Sequence, residues 1–233
     1  MKTRDLWINV VLSILAICAI IVTALFVRRE LFPGATRTGG RPVDRDLTAD
    51  QWQRIVGPQG PSRGSAYARD TLVVFSDFEC PYCRRFARLL DSLPVGHNGS
   101  LLVLYRYYPL TRVHPNALSA AKAAACADRQ GRFWSYHDLL FLSADTLPEL
   151  NFERLAALAK IADTTAFRRC MDSGQSSDAV QHDILLGRSL GIDVTPTIVV
   201  NGHLIPGLAD KGFLESYLGE KHLNLDHSSR ARE

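Results

Sequence analysis

Leu72-Val73-Val74-Phe75-Ser76-Asp77-Phe78-Glu79-Cys80-Pro81-Tyr82-Cys83 is the stretch that decides the fold. Leu72 to Ser76 is a short apolar run, consistent with a buried central strand. After the two cysteines, Arg84 to Leu93 carries Phe86, Leu89, Leu90 and Leu93 at helical spacing. Cysteines at i and i+3 on a helix lie about 5 Å apart between Cα atoms, which suits a disulfide. The helix N-terminus offers unpaired backbone N–H groups and a partial positive charge. Both favour a thiolate, so Cys80 reads as the nucleophile. Pro81 is tolerated at an early helical position because its missing N–H has no intrahelical partner there. Cys83, one turn further in, is placed to resolve a mixed disulfide. A structural disulfide or half a metal site is the alternative reading of the pair. The strand directly before it and the amphipathic helix directly after it favour redox chemistry.

Downstream, Leu101 to Tyr107 reads as a second strand. Pro115 to about Gln130 is Ala-rich and helical, with Pro115 near its first turn. Phe133 to Leu142, Phe152 to Ile161, Thr165 to Met171 and Ser177 to Leu190 read as further helices, the last capped by Gly191. Thr197 to Asn201 is a third strand, Asn201-Gly202 a type I′ hairpin turn, and His203 to Ile205 its partner. Lys211 to Leu218 closes the pattern as a helix. The order is strand, helix, strand, a long helical block, hairpin, helix. It describes an α/β sheet with an inserted helical layer. Val194-Thr195-Pro196-Thr197 precedes the third strand, where a proline is tolerated. A cis peptide there would turn the Thr195 backbone toward the sulfurs and leave it free to pair with an extended substrate. A plain helix-to-strand turn is the alternative.

Upstream, Leu6 to Val27 is an uncharged apolar run. As a helix it reaches about 33 Å, enough to cross a bilayer's hydrocarbon core. It lacks a good A-x-A cleavage site and is longer than a signal-peptide core, so an uncleaved anchor is expected, with a cleaved signal as the alternative. The expected organisation is a flank at 1–5, an anchor at 6–27, a linker at 28–56, a catalytic domain at 57–218 with its helical insertion at about 114–190, and a polar tail at 219–233. Arginines after the span outnumber the basic residues before it. A naive positive-inside count therefore places the domain in the cytoplasm, but long domains translocate largely regardless of charge.

The 233 residues carry a net charge of +3 with scattered basic residues, which gives no nucleic-acid footprint. Of five cysteines, Cys18 lies in the apolar run. The other four, Cys80, Cys83, Cys126 and Cys170, suit disulfides in an oxidising compartment. They do not form a paired C-x2-C zinc pattern, and the histidines show no metal-ligand spacing.

Phe75 to Cys83, His114-Pro115-Asn116-Ala117, Phe133-Trp134-Ser135-Tyr136-His137-Asp138 and Val194-Thr195-Pro196-Thr197 together resemble the DsbA-like thiol oxidoreductases. The resemblance runs from about Gly57 to Leu218. It implies a thioredoxin fold with an inserted helical domain, preceded here by one transmembrane helix. It implies that Cys80 is the nucleophile, Cys83 the resolving thiol and Pro196 a cis proline after Thr195. Some members carry a second, non-catalytic disulfide in the helical domain, which here implies Cys126–Cys170; two buried free thiols are the alternative. His114 and His137 match family positions and read as structural. One departure is Val74, six residues before Cys80, where many thioredoxin-like proteins carry a buried acid. Asp77 or Glu79 either substitutes for it or faces solvent.

The implied activity is exchange of the Cys80–Cys83 disulfide with secreted or envelope proteins, most simply as an oxidant and with no cofactor beyond the cysteine pair. The expected partners are unfolded cysteine-containing substrates, a membrane redox protein that recycles the pair, and the membrane itself through Leu6–Val27, with the domain on the extracytoplasmic side. A reductase or isomerase is the alternative within the class. A thiolate metal chaperone is the alternative outside it, disfavoured by only two methionines and no paired Cys-His motif.

Overall fold

The computed structural model describes residues 7, 12–23, 44–57, 60–93 and 100–219. The chain divides into two units, Met1–Arg41 and Pro42–Glu233. In the first, residues 12–23 are helical and exposed, a length of about 18 Å against roughly 30 Å of bilayer hydrocarbon. Among the described residues no helix is long and apolar enough to cross a membrane. The rest of the Leu6–Val27 run, Trp7 apart, lies outside the described residues, as do positions 1–5, 28–43 and 220–233.

The second unit runs β1 (Arg45–Asp46), α1 (Ala49–Ile55), β2 (Ser62–Arg63), β3 (Asp70–Ser76), α2 (Pro81–Leu90), β4 (Leu101–Tyr107), α3 (Ala117–Asp128) and α4 (Phe133–Leu142). A 3-10 turn at Ala144–Glu149 leads to α5 (Phe152–Leu158), α6 (Thr164–Asp172), α7 (Gln175–Ser189), β5 (Thr197–Val200), β6 (His203–Pro206) and α8 (Lys211–Tyr217). The strands form a six-stranded sheet in the order β1-β6-β5-β3-β4-β2. β3 pairs in parallel with β4, Val74 opposite Tyr105 and Ser76 opposite Tyr107. Its other neighbour, β5, is antiparallel. Every residue of β3 and β4 is buried, as expected of parallel strands covered on both faces.

Alternation along the strands makes two cores. Leu72, Val74, Tyr105, Tyr107, Ile198 and Val200 meet α2 and the inserted helices on one face. Val73, Phe75, Leu102, Leu104, Val199 and Leu204 meet α1 and the C-terminal half of α7 on the other. The ends of the helices have local causes. α5 stops at Leu158 rather than running to Ile161, because Lys160 takes φ 57°. Lys160 N–H then donates to Ala157 and Ile161 N–H to Ala156, a Schellman closure. Gly191, at φ 69°, ends α7 the same way. Asn201 and Gly202 both have positive φ, as a type I′ turn requires.

The expected linker at 28–56 is corrected over its second half. Thr48 caps α1 through a capping box with Gln51, and Leu47, Trp52, Ile55 and Val56 are buried against the sheet. This segment is also held from inside. The buried Arg106 guanidinium donates to the Ile55 carbonyl at 2.6 Å and the Gly57 carbonyl at 3.1 Å. Arg106 lies 3.9 Å from Asp183 on α7, whose carboxylate also accepts from Tyr107 N–H at 2.9 Å. β2 likewise falls in a stretch without a strand signal; it pairs antiparallel with β4.

Candidate active site

β3 delivers the chain to the site and α2 starts there. Cys80 is the N-cap of α2, with extended backbone (φ −76°, ψ 122°) and Pro81 in the first turn. It is 4 % exposed, and Cys83, one turn in, is 1 % exposed. Both are free thiols in this structure. The Thr195–Pro196 peptide is cis, and the Cys80 thiol donates to the Thr195 carbonyl at 3.3 Å. Asp77 N–H donates to Cys83 Sγ at 3.4 Å. Residues from two separate stretches of sequence, Asp77–Cys83 and Thr195, thus converge.

The two thiols are electrostatically opposed. Cys80 is lowered to about 6, chiefly because the Cys83 thiol hydrogen-bonds to it. Burial opposes this, while the Thr195 side chain and the N–H groups of Cys83 and Tyr82 add to it. Those N–H groups are the unpaired donors of a helix start. Cys83 is pushed well up, first by burial and then by donating to Cys80; Ser76 and Asp77 N–H pull the other way. At neutral pH the pair therefore holds one thiolate, at Cys80. Such a site performs thiol–disulfide exchange: a thiolate attacks sulfur, a mixed disulfide forms, and the second thiol resolves it.

The acidic candidates are engaged elsewhere. Asp77 is 1 % exposed; its carboxylate accepts from Glu79 N–H and Leu110 N–H and pairs with His114 Nδ1, each at 2.8 Å. Glu79 caps the approach to α3 by accepting from Asn116 N–H at 2.7 Å and its side-chain amide at 3.0 Å. Asp77 therefore does not face solvent, and both carboxylates are held by the partners just named. His137 is buried among Phe78, Tyr105, Phe133, Trp134 and Phe141, and burial lowers its pKa. Cys126 and Cys170 form a disulfide that joins α3 to α6, with S–S 2.06 Å. Among the described residues no cluster of three or more His, Cys, Asp or Glu could hold a metal ion.

Comparison with known proteins places this geometry. The family model described as thioredoxin matches residues 57–218. The chain belongs to the thioredoxin family. Solved relatives share the fold. A thioredoxin-like oxidoreductase from Silicibacter pomeroyi superposes with TM-score 0.57 at 24% identity, covering 77% of this chain and 98% of that one. The thiol-disulfide exchange protein alpha-DsbA2 from Wolbachia pipientis gives 0.60 at 21%, covering 73% and 91%. Among curated proteins, the Na(+)/H(+) antiporter NhaA 1 of Mycolicibacterium gilvum is 32% identical over 164 residues, 64% of this chain and 25% of the antiporter. The chain thus spans about a quarter of that relative's length. This thioredoxin-family chain carries the family's fold with a C-x-x-C pair at the start of α2.

Neither the Thr195 hydroxyl nor Ser76 stands out in the sequence as a site residue. Ser76 could have been found there: it follows Val74 by two residues and so shares its face of the strand. The contribution of Thr195 depends on a contact spanning more than a hundred residues of chain.

Proposed function

We propose that this protein is a membrane-tethered oxidant on the extracytoplasmic side that passes the Cys80–Cys83 disulfide to cysteine-containing proteins. The observation that carries the reading is the lowering of Cys80 to about 6. A stabilised Cys80 thiolate favours the reduced form, which makes the disulfide a strong oxidant. The buried Cys126–Cys170 disulfide favours an oxidising compartment. Leu6–Val27 supplies the tether, and relatives named as Na(+)/H(+) antiporters match this chain over a quarter of their own length. The pair needs no cofactor beyond its own sulfurs, and a membrane redox protein returns it to the disulfide state.

Equilibration with glutathione tests the direction. A reduction potential near about −120 mV supports an oxidant, whereas one near about −270 mV, the thioredoxin range, turns the reading to a reductase. A reporter fused after Glu233 tests the side of the membrane; activity confined to a cytoplasmic reporter overturns export. Stoichiometric zinc or copper in the purified reduced protein would replace the enzyme reading with that of a metal chaperone.

A further inference from the structure

When a substrate thiolate attacks Cys80 in the disulfide, the Cys80–Cys83 bond breaks and its electron pair leaves on Cys83 Sγ. A new sulfur–sulfur bond joins Cys80 to the substrate, and no other oxidant or reductant is required. The leaving thiolate forms where Cys83 is 1 % exposed, in a core of Val74, Phe78, Phe86 and Tyr105. A charge at that depth needs hydrogen-bond donors. Asp77 N–H at 3.4 Å is one. The nearby carboxylates are engaged with backbone groups and His114.

We propose that Ser76, oriented by Tyr105, is the second donor that receives the Cys83 thiolate as it leaves. Leu72 and Val74 point to the Cys83 face of the sheet, and the strand period puts the Ser76 side chain on that face. The parallel register sets Val74 opposite Tyr105 and Ser76 opposite Tyr107, so the Ser76 hydroxyl and the Tyr105 ring flank the same apolar position. Ser76 is itself buried at the end of β3, and its hydroxyl pulls the Cys83 thiol and the Tyr105 phenol down against their burial. Tyr105 is fully buried, and its Oη closes no hydrogen bond while both cysteines are thiols. An orphan hydroxyl at this depth is costly and calls for an explanation. Once Cys83 is a thiolate, Ser76 turns its O–H toward sulfur and its oxygen accepts from Tyr105. Burial pushes the Tyr105 phenol well up, so it stays a neutral donor. In this proposal Ser76 donates to a reacting sulfur and is a catalytic residue, while Tyr105 is a positioning residue.

The inference rests on the reading of Cys83 as the resolving thiol but not on the direction of electron flow, because the same step runs in reverse in a reductase. The test uses the reduced full-length protein in a Cys18→Ser background and an aryl disulfide that releases a coloured thiolate. The first release reports attack by Cys80. The second reports attack by Cys83 on the mixed disulfide, and its pH dependence reports Cys83 ionisation. Ser76→Ala should slow the second release by about tenfold and raise its pH midpoint by about one unit, with the first release unchanged. Ser76→Thr should restore it. Tyr105→Phe, which removes one oxygen and keeps the ring, should slow the second release a few-fold alone but add nothing to Ser76→Ala. A second release unchanged in Ser76→Ala and in Tyr105→Phe overturns the proposal. So does equal slowing of both releases, which would mark a structural role. If Ser76→Ala does not fold, Tyr105→Phe decides alone by the same two releases. A low reduction potential would refute the oxidant reading and leave this result standing.

Discussion

Removing the Cys83 thiol is the sharpest test of how the site makes a nucleophile. Cys83 is the largest cause of the lowering of Cys80 from 9.0 to about 6. A hydrogen bond to a charged group is worth about 1.5–3 kcal/mol, or about 1–2 pKa units. Cys83→Ala should therefore move the Cys80 midpoint to roughly 7–8, while Cys83→Ser, which keeps a donor, should stay nearer to 6. At pH 7 the thiolate fraction falls from about 90% to roughly 10–50%. In a Cys18→Ser background, with Cys126 and Cys170 bonded to each other, Cys80 is the remaining thiol. Its iodoacetamide rate against pH then gives the midpoint directly. The same shift has a stability consequence. Because the folded pKa is the lower one, the reduced protein gains stability as pH rises from about 6 toward 9 and loses it as pH falls back through 6. The gain relative to an ordinary thiol is about 1.4 kcal/mol at pH 7 and approaches 4 kcal/mol near pH 9. Above pH 9 the raised pKa of Cys83 acts with the opposite sign. The oxidised protein lacks both terms, so urea unfolding of the two forms across this range isolates them. A wild-type midpoint near 9, or a Cys83→Ala midpoint still near 6, would refute the reasoning.

Asp77→Ala strips the acceptor from Glu79 N–H, Leu110 N–H and His114. It should destabilise by about 2–4 kcal/mol, more than Asp77→Asn, as read by urea unfolding. Gly187→Ala should cost about 1–3 kcal/mol by overpacking, since an added Cβ would sit 2.4 Å from Tyr108 Cε2; an unchanged melting temperature would contradict the packing described. Replacing Cys126 and Cys170 together by alanine opens a separation of 44 residues and should cost about 4 kcal/mol on the chain-entropy model. The alkylation profile of Cys80 should survive under conditions where the variant remains folded.

The reactive centre was legible because its chemistry is local: a strand, a C-x-x-C and a helix start occupy twelve consecutive residues. The helices of the insertion were legible for the same reason, in their 3.6-residue periodicity and in Gly191. What escaped were features fixed by distant partners. β1 and β2 have two residues each, too few for any periodicity, and exist because β6 and β4 offer unpaired edges. Thr48-Ala49-Asp50-Gln51 did carry a capping-box signal, but the Arg, Gly and Pro content before it drew the linker boundary too far downstream. Arg106 is a charged residue in an otherwise largely apolar strand. Its place inside depends on Ile55, Gly57 and Asp183, which no window around β4 contains.

If the protein handles unfolded chains, as proposed, the brevity of β1 and β2 matters. An open sheet edge is a template on which an extended, half-folded client can nucleate aggregation. Here the outer strands end after two residues, so a visiting segment finds no long backbone rail along either margin. A client would then be favoured where the Thr195 carbonyl faces Cys80, and its release would follow from chemistry rather than from peeling apart a ladder. Such an architecture would let the protein touch sticky chains briefly and let them go.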